Sequence, residues 1–149
     1  MTAAAFSTLF LAAVALALAL ETWLALRHVA CVRAHREAVP QAFAGRIGVE
    51  AHRRAADYTI AHTRLSIAAS VASAVVVVAL TLGGGLERFA DATGRIPAGP
   101  LAQDLALGVA VVVAFAAVSL PFSAWRTFVV EARFGFNRTS LATWLADLA

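Results

Sequence analysis

Residues 65–82 read LSIAASVASAVVVVALTL, an apolar run with no charged side chain, and the run halts at Gly83, Gly84 and Gly85. At a helical rise of about 1.5 Å per residue it is long enough to cross most of a hydrocarbon core of about 30 Å. Glycine has no Cβ to clash in the left-handed conformation common just past a helix C-terminus, so three in succession end the helix. The stretch predicts a membrane-spanning helix, and the chain repeats the pattern on either side of it.

Upstream, residues 3–26 are interrupted only by Ser7, Thr8, Glu21 and Thr22. A cleaved signal peptide wants a positively charged start, and here only the terminal amine of Met1 precedes the apolar run. An uncleaved span is therefore expected. Downstream, residues 101–120 form a third apolar run that follows Pro100 and carries Gln103 and Asp104 in its expected first turn. Proline tolerates the first helical position, and an acid nearby complements the positive end of the helix dipole.

Composition points the same way: 61% of the residues are hydrophobic and 14% charged, with a mean hydropathy of +0.80. A soluble domain of this length buries only about 70% of the surface of its unfolded chain, so this much apolar side chain would leave large patches in water. The expected partner is the lipid bilayer. All twelve basic residues are Arg, set against nine acids for a formal charge of +3. They sit between apolar runs and build no basic face or nucleic-acid motif, so nucleic acid is not an expected partner. The single cysteine, Cys31, rules out an intramolecular disulfide framework.

The basic residues also set an orientation. Residues 27–64 hold seven Arg against Glu37, Glu50 and Asp57, whereas residues 83–100 hold Arg88 and Arg95 against Glu87 and Asp91. Loops rich in basic residues stay in the cytoplasm. The N-terminus is thus expected outside, with residues 27–64 and the C-terminal segment bearing Arg126, Arg133 and Arg138 inside, in a membrane taken to be the bacterial inner membrane.

Ala, Arg and Glu dominate residues 30–38 and 51–61, so much of the cytoplasmic loop is expected to be helical and to prolong the spans, with breaks at Pro40 and at Gly45 to Gly48. Near the end, Leu141, Trp144, Leu145 and Leu148 fall on one helical face with Thr139 or Ser140 available as cap. That helix is expected to be interfacial or the start of a fourth span. The fold class is all-α integral membrane, with three transmembrane helices, a helical cytoplasmic loop and this terminal helix.

Chemistry is sparse. His28, Cys31 and His35 lie near one helical face and could in principle meet a metal, but structural zinc wants four ligands in compact pairs, and the simpler reading is a solvated Arg-rich helix. No His is followed by Glu-x-x-His, so the two-His, one-Glu centre of a zincin is absent, as are a nucleophile elbow, a P-loop and a dinucleotide fingerprint. Catalytic and metal-ligating residues are expected to be none in this chain. Glu21 is the polar residue deepest in a span, with Arg27 less than two turns further on; it either carries function or orients the bundle by snorkelling or by pairing with an Arg of another helix. Asn137-Arg138-Thr139 matches a glycosylation sequon but falls on the cytoplasmic side, where it would not be used.

Leu120-Pro121, Trp125, Phe128 and the run Glu131-Ala132-Arg133-Phe134-Gly135-Phe136-Asn137-Arg138-Thr139, followed by Trp144 and Asp147, resemble the segment that precedes the fourth membrane helix of CAAX prenyl protease 1-type zinc metallopeptidases. Upstream, Glu21-Thr22-Trp23-Leu24-Ala25-Leu26-Arg27, and then Tyr58 with Arg64, match in the same order, so the resemblance covers essentially the whole chain. Trp23 stands where Tyr is expected and His28 where Gln is expected.

The resemblance implies an N-terminal transmembrane domain over residues 1–149, with the catalytic zinc domain absent and no cofactor of its own; zinc belongs to the full-length family enzyme. It implies a seven-helix endopeptidase around an intramembrane chamber, the remaining catalytic part as partner, and a protein or peptide substrate. The alternative is a stand-alone membrane scaffold or binding protein without the active site. Glu21, Arg27, Tyr58, Arg64, Pro121, Trp125, Glu131, Phe134, Gly135, Phe136, Asn137 and Asp147 are then expected to do structural work, with Gly135 allowing a turn closed to other residues and Asn137 capping the next helix or accepting backbone bonds.

Overall fold

The structure, a computed structural model, describes residues 2–43 and 45–147. Helix α1 spans Ala3–Ala34, α2 Val49–Thr81, α3 Gly85–Gly94 and α4 Pro100–Trp125; a π-helical stretch, Arg126–Glu131, leads into α5 (Ala132–Phe134), and α6 spans Leu141–Ala146. A 3-10 turn, Gln41–Phe43, lies between α1 and α2. The described residues hold no strand. Three helical stretches, Ala3–Ala34, Val49–Thr81 and Pro100–Phe134, are long and apolar enough to cross a membrane. The all-helical, three-span class is what the chain adopts.

The helices run further than the apolar runs that announced them. α1 continues eight residues' worth of polar and apolar sequence past Leu26, and α2 begins well before Leu65, because Ala, Arg and Glu are good helix formers whether or not lipid surrounds them. The third helix does not stop at Leu120: Pro121 lies inside α4, and helical backbone persists to Phe134. α3 was not anticipated at all. Leu86, Phe89, Ala90 and Thr93 share one of its faces, while Glu87, Arg88 and Asp91 take the other.

The chain divides into two compact units, Met1–Trp23 with Ile67–Pro121, and Leu24–Ser66 with Phe122–Ala149. The first is an apolar unit whose side chains face outward: Leu16 is 61% exposed, Val75 63% and Leu101 74%. In water that surface would aggregate; in lipid it needs no cover. Several hydroxyls in the spans are satisfied inside their own helices, Thr8 donating to the Ala4 carbonyl at 2.9 Å and Thr81 to that of Val77 at 2.6 Å. A side-chain bond links two helices here: Ser70 Oγ of α2 donates to Glu21 Oε1 of α1 at 2.6 Å. Glu21 thus has a hydroxyl of the neighbouring helix as a partner.

The glycine triplet works by close approach as much as by freedom. A Cβ on Gly83 would sit 2.6 Å from the Ala79 carbonyl oxygen, and one on Gly85 2.9 Å from Leu80, while Gly84 takes φ of 71°. α3 starts directly from this reversal. Gln103 then ties the far end of the connection, its Nε2 donating to the carbonyls of Gly94 and Ile96 at 3.2 and 3.1 Å. Because α4 starts at Pro100, Asp104 falls just beyond the first turn, a small departure from the expected placement.

The second unit has a small core of Val29 from α1, Ala56 and Ile60 from α2, and Thr127 and Val130 from the π-helical stretch. Pro40 and Gly45, the latter with φ of 90°, break the chain between α1 and α2 as expected. α6 is capped by Ser140, whose hydroxyl accepts from the Thr143 amide at 3.1 Å. Leu148, the last position of that helix's expected apolar face, lies outside the described residues.

Candidate functional site

Within the second unit, one aromatic side chain gathers the residues of the Phe-Gly-Phe run. Tyr58, half-buried on α2, meets Phe134 at 5.7 Å and Phe136 at 5.0 Å between ring centroids, at interplanar angles of 80° and 73°. Both are edge-to-face contacts, the geometry that sets the positive rim of one ring against the negative face of another. His62, one turn along α2, lies 5.9 Å from Tyr58.

The backbone between the two phenylalanines explains how adjacent side chains reach the same ring. Gly135 takes φ of 76° and ends α5. Its amide donates to the Ala132 carbonyl at 3.1 Å, and the Phe136 amide to that of Glu131 at 2.9 Å, the paired bonds of a Schellman C-cap. The Asn137 amide also reaches the Glu131 carbonyl, at 3.2 Å. No atom lies within 4 Å of where a Gly135 Cβ would be, so glycine is needed there for its dihedral angle and not for space. Asn137 Oδ1 accepts from the Thr139 amide at 2.7 Å, which folds the next residues into a tight turn and leaves the capping of α6 to Ser140.

Beside the aromatic cluster runs a chain of alternating charges. Arg36, just past α1, forks onto Asp57 of α2 with Nε–Oδ1 and Nη2–Oδ2 both at 2.7 Å, and its Nη1 holds Glu37 Oε1 at 2.7 Å. Glu37 in turn takes Arg53, whose Nε lies 2.6 Å from Oε2, and Arg53 approaches Glu50 at 3.8 Å. The bonds from Arg53 first, and from Arg36, hold the Glu37 carboxyl below the usual carboxylate range, and the bond to Asp57 raises the Arg36 guanidinium above its ordinary value. The network staples the end of α1 to the start of α2. In the sequence these five residues read only as loop charge; their pairing across the break at Pro40 has no signal in spacing alone.

The remaining singled-out positions are spread along the helices. Glu21 bonds Ser70 in the first unit, and Arg27 lies on α1 in the second. Arg64 is exposed on α2, one residue before its apolar run. Pro121 is interior to α4, Trp125 is its exposed last residue, and Glu131 closes the π-helical stretch with its carboxylate 3.8 Å from Arg126. Asp147 follows α6, its amide bonded to the Thr143 carbonyl at 3.0 Å. The aromatic run and Tyr58 are therefore brought together, and Glu21, Pro121 and Asp147 are not part of that cluster.

His28, Cys31, His35 and His52 line a cleft of about 340 Å³. His35 Nδ1 is 2.9 Å from the Cys31 carbonyl, and His52 Nε2 is 3.0 Å from the His35 carbonyl, so two imidazoles are turned to backbone oxygen. Among the described residues no three His, Cys, Asp or Glu side chains are placed to hold a metal ion.

A family model described as CAAX prenyl protease N-terminal, five membrane helices, matches residues 28–149. No curated protein and no solved structure matches the chain. The matched segment takes in α2, α4, the π-helical stretch and the whole Tyr58–Phe134–Phe136 cluster, and it covers most of the sequence. An integral membrane chain with this match belongs to the family of CAAX prenyl protease N-terminal membrane domains.

Proposed function

We propose that the chain is the non-catalytic transmembrane part of a CAAX prenyl protease-like zinc metalloendopeptidase, and that its helices supply wall to the membrane chamber around an active site built by the remaining catalytic part. The family match over residues 28–149 is the observation that carries this reading. The architecture supports it: long helices cross the lipid, and the polar unit is fastened by contacts that position backbone and not by groups poised for chemistry. Glu131, Phe134, Gly135, Phe136 and Asn137 act as a hinge block that turns the chain out of the third span, with Tyr58 as its anchor; Glu21, Arg27, Arg64, Pro121, Trp125 and Asp147 set helix register and exits.

In this reading zinc and its hydrolytic chemistry belong to the catalytic part, the substrate is a protein or peptide drawn into the chamber, and residues 27–64 lie in the cytoplasm with the N-terminus outside. The test uses an antibody against residues 27–64 on solubilised membranes of the source cells. The expected capture contains a His-Glu-x-x-His segment, in the same polypeptide or a bound one, and cleaves a membrane-protein substrate until a chelator is added. Capture without such a segment and without chelator-sensitive cleavage would overturn the reading in favour of a scaffold.

A further inference from the structure

We propose that the second unit binds the phosphate headgroup of an anionic membrane lipid in the cleft formed by Arg33 of α1, Arg64 of α2 and Arg133 of α5. The cleft has a volume of about 520 Å³, and Ile60, Ala61 and Phe134 form its apolar side. Its charged residues are four arginines and one acid, Asp57. That acid is already committed, since both carboxylate oxygens are held by the fork of Arg36. Arg33 and Arg64 are exposed, and among the described residues neither has a carboxylate within ion-pair distance. Arg133 lies over the Phe134 ring at 5.8 Å, which steadies the guanidinium, and it feels the Asp57 carboxylate only at longer range, behind the direct bonds of Arg36.

Three guanidinium groups around one opening repel each other unless an anion joins them, and the planar fork of arginine matches phosphate oxygens two at a time. Position selects the lipid over a free anion. Arg64 is the residue immediately before the apolar run 65–82, so the cleft's rim begins where the hydrocarbon ends. Basic pockets at that depth between membrane helices are lipid headgroup sites. The apolar side gives the glycerol and first acyl carbons a surface that inorganic phosphate would not use. The inference requires only that the chain is embedded in a bilayer; it is independent of any protease partner.

Native mass spectrometry of the full chain in a neutral detergent, titrated with phosphatidylglycerol or phosphatidylcholine, tests the site. Phosphatidylglycerol is expected to bind roughly tenfold or more tightly than phosphatidylcholine, and inorganic phosphate at millimolar concentration is expected not to displace it. Combined Arg33→Gln, Arg64→Gln and Arg133→Gln substitution should weaken phosphatidylglycerol binding by roughly a hundredfold, and Arg33→Gln alone by roughly fivefold. Arg88→Gln with Arg95→Gln, in the other loop, should leave it unchanged. Equal binding of the two lipids, displacement by inorganic phosphate, or unaltered affinity in the triple variant would overturn the proposal. Should the triple variant not fold, unaltered affinity in Arg33→Gln would do the same.

Discussion

The two units of this chain are held by different physics. In the first, the described residues include a single buried hydrophobic side chain, Leu80, and a hydroxyl of α2, Ser70, bonds Glu21 of α1. Its large apolar side chains face out. In the second, rings meet edge to face, a five-residue ionic chain crosses from α1 to α2, and a glycine holds a backbone angle that other residues resist. Lipid removes the hydrophobic drive between helices, so a span needs only length and satisfied backbone, while the polar unit must specify its arrangement residue by residue.

Substitutions in the second unit should therefore cost more than comparable ones in the first. The largest loss is expected for Tyr58→Ala, which removes the ring shared by Phe134 and Phe136: about 2–3 kcal/mol, read from thermal unfolding in detergent. Tyr58→Phe keeps the ring and should recover nearly all of it; equal loss in both would show that the rings are not what holds the turn. Next comes Gly135→Ala, expected to cost about 1–2 kcal/mol because a Cβ resists φ of 76°.

A smaller effect is expected in the first unit. Ser70→Ala should cost about 0.6 kcal/mol, the average for a hydrogen bond between membrane helices, and Glu21→Gln, which still accepts from the hydroxyl, should cost less than Glu21→Ala. A Ser70→Ala loss exceeding that of Tyr58→Ala would reverse the comparison. The smallest effect is electrostatic. Glu37 titrates below its ordinary value of about 4.5, so its contribution is present above that pH, where the unfolded carboxyl is charged, and is lost as pH falls through the lowered value in the folded chain. Glu37→Gln should therefore narrow the difference in stability between pH 6 and pH 3; an unchanged difference would remove the ionic chain from the account.

Much of the first unit was legible because lipid imposes it. An uncharged run of the right length ending in three glycines can do little else, and the Gly135 turn and the cap at Ser140 follow from local chemistry. What stayed hidden depends on distance in space. Ser70 looks like any span hydroxyl until α1 brings Glu21 to it. Arg36 and Asp57 are ordinary loop charges until the break at Pro40 folds one helix end back on the next. α3 was hidden for a different reason: its apolar face repeats only twice, between glycines that read as loop. The third apolar run closes at Leu120, yet the residues around Pro121 carry the helix through it, as membrane helices tolerate proline when neighbouring groups meet the freed carbonyls.

The three-span arrangement, with residues 27–64 inside, is tested most directly by cysteine accessibility. In a Cys31→Ser background, single cysteines placed at Arg46 and at Arg95 are treated with a membrane-impermeant maleimide, first on intact cells and then after permeabilisation. Arg95→Cys should label on intact cells and Arg46→Cys only once the membrane is opened. Labelling of both on intact cells, of neither until permeabilisation, or in the reverse order would contradict the account.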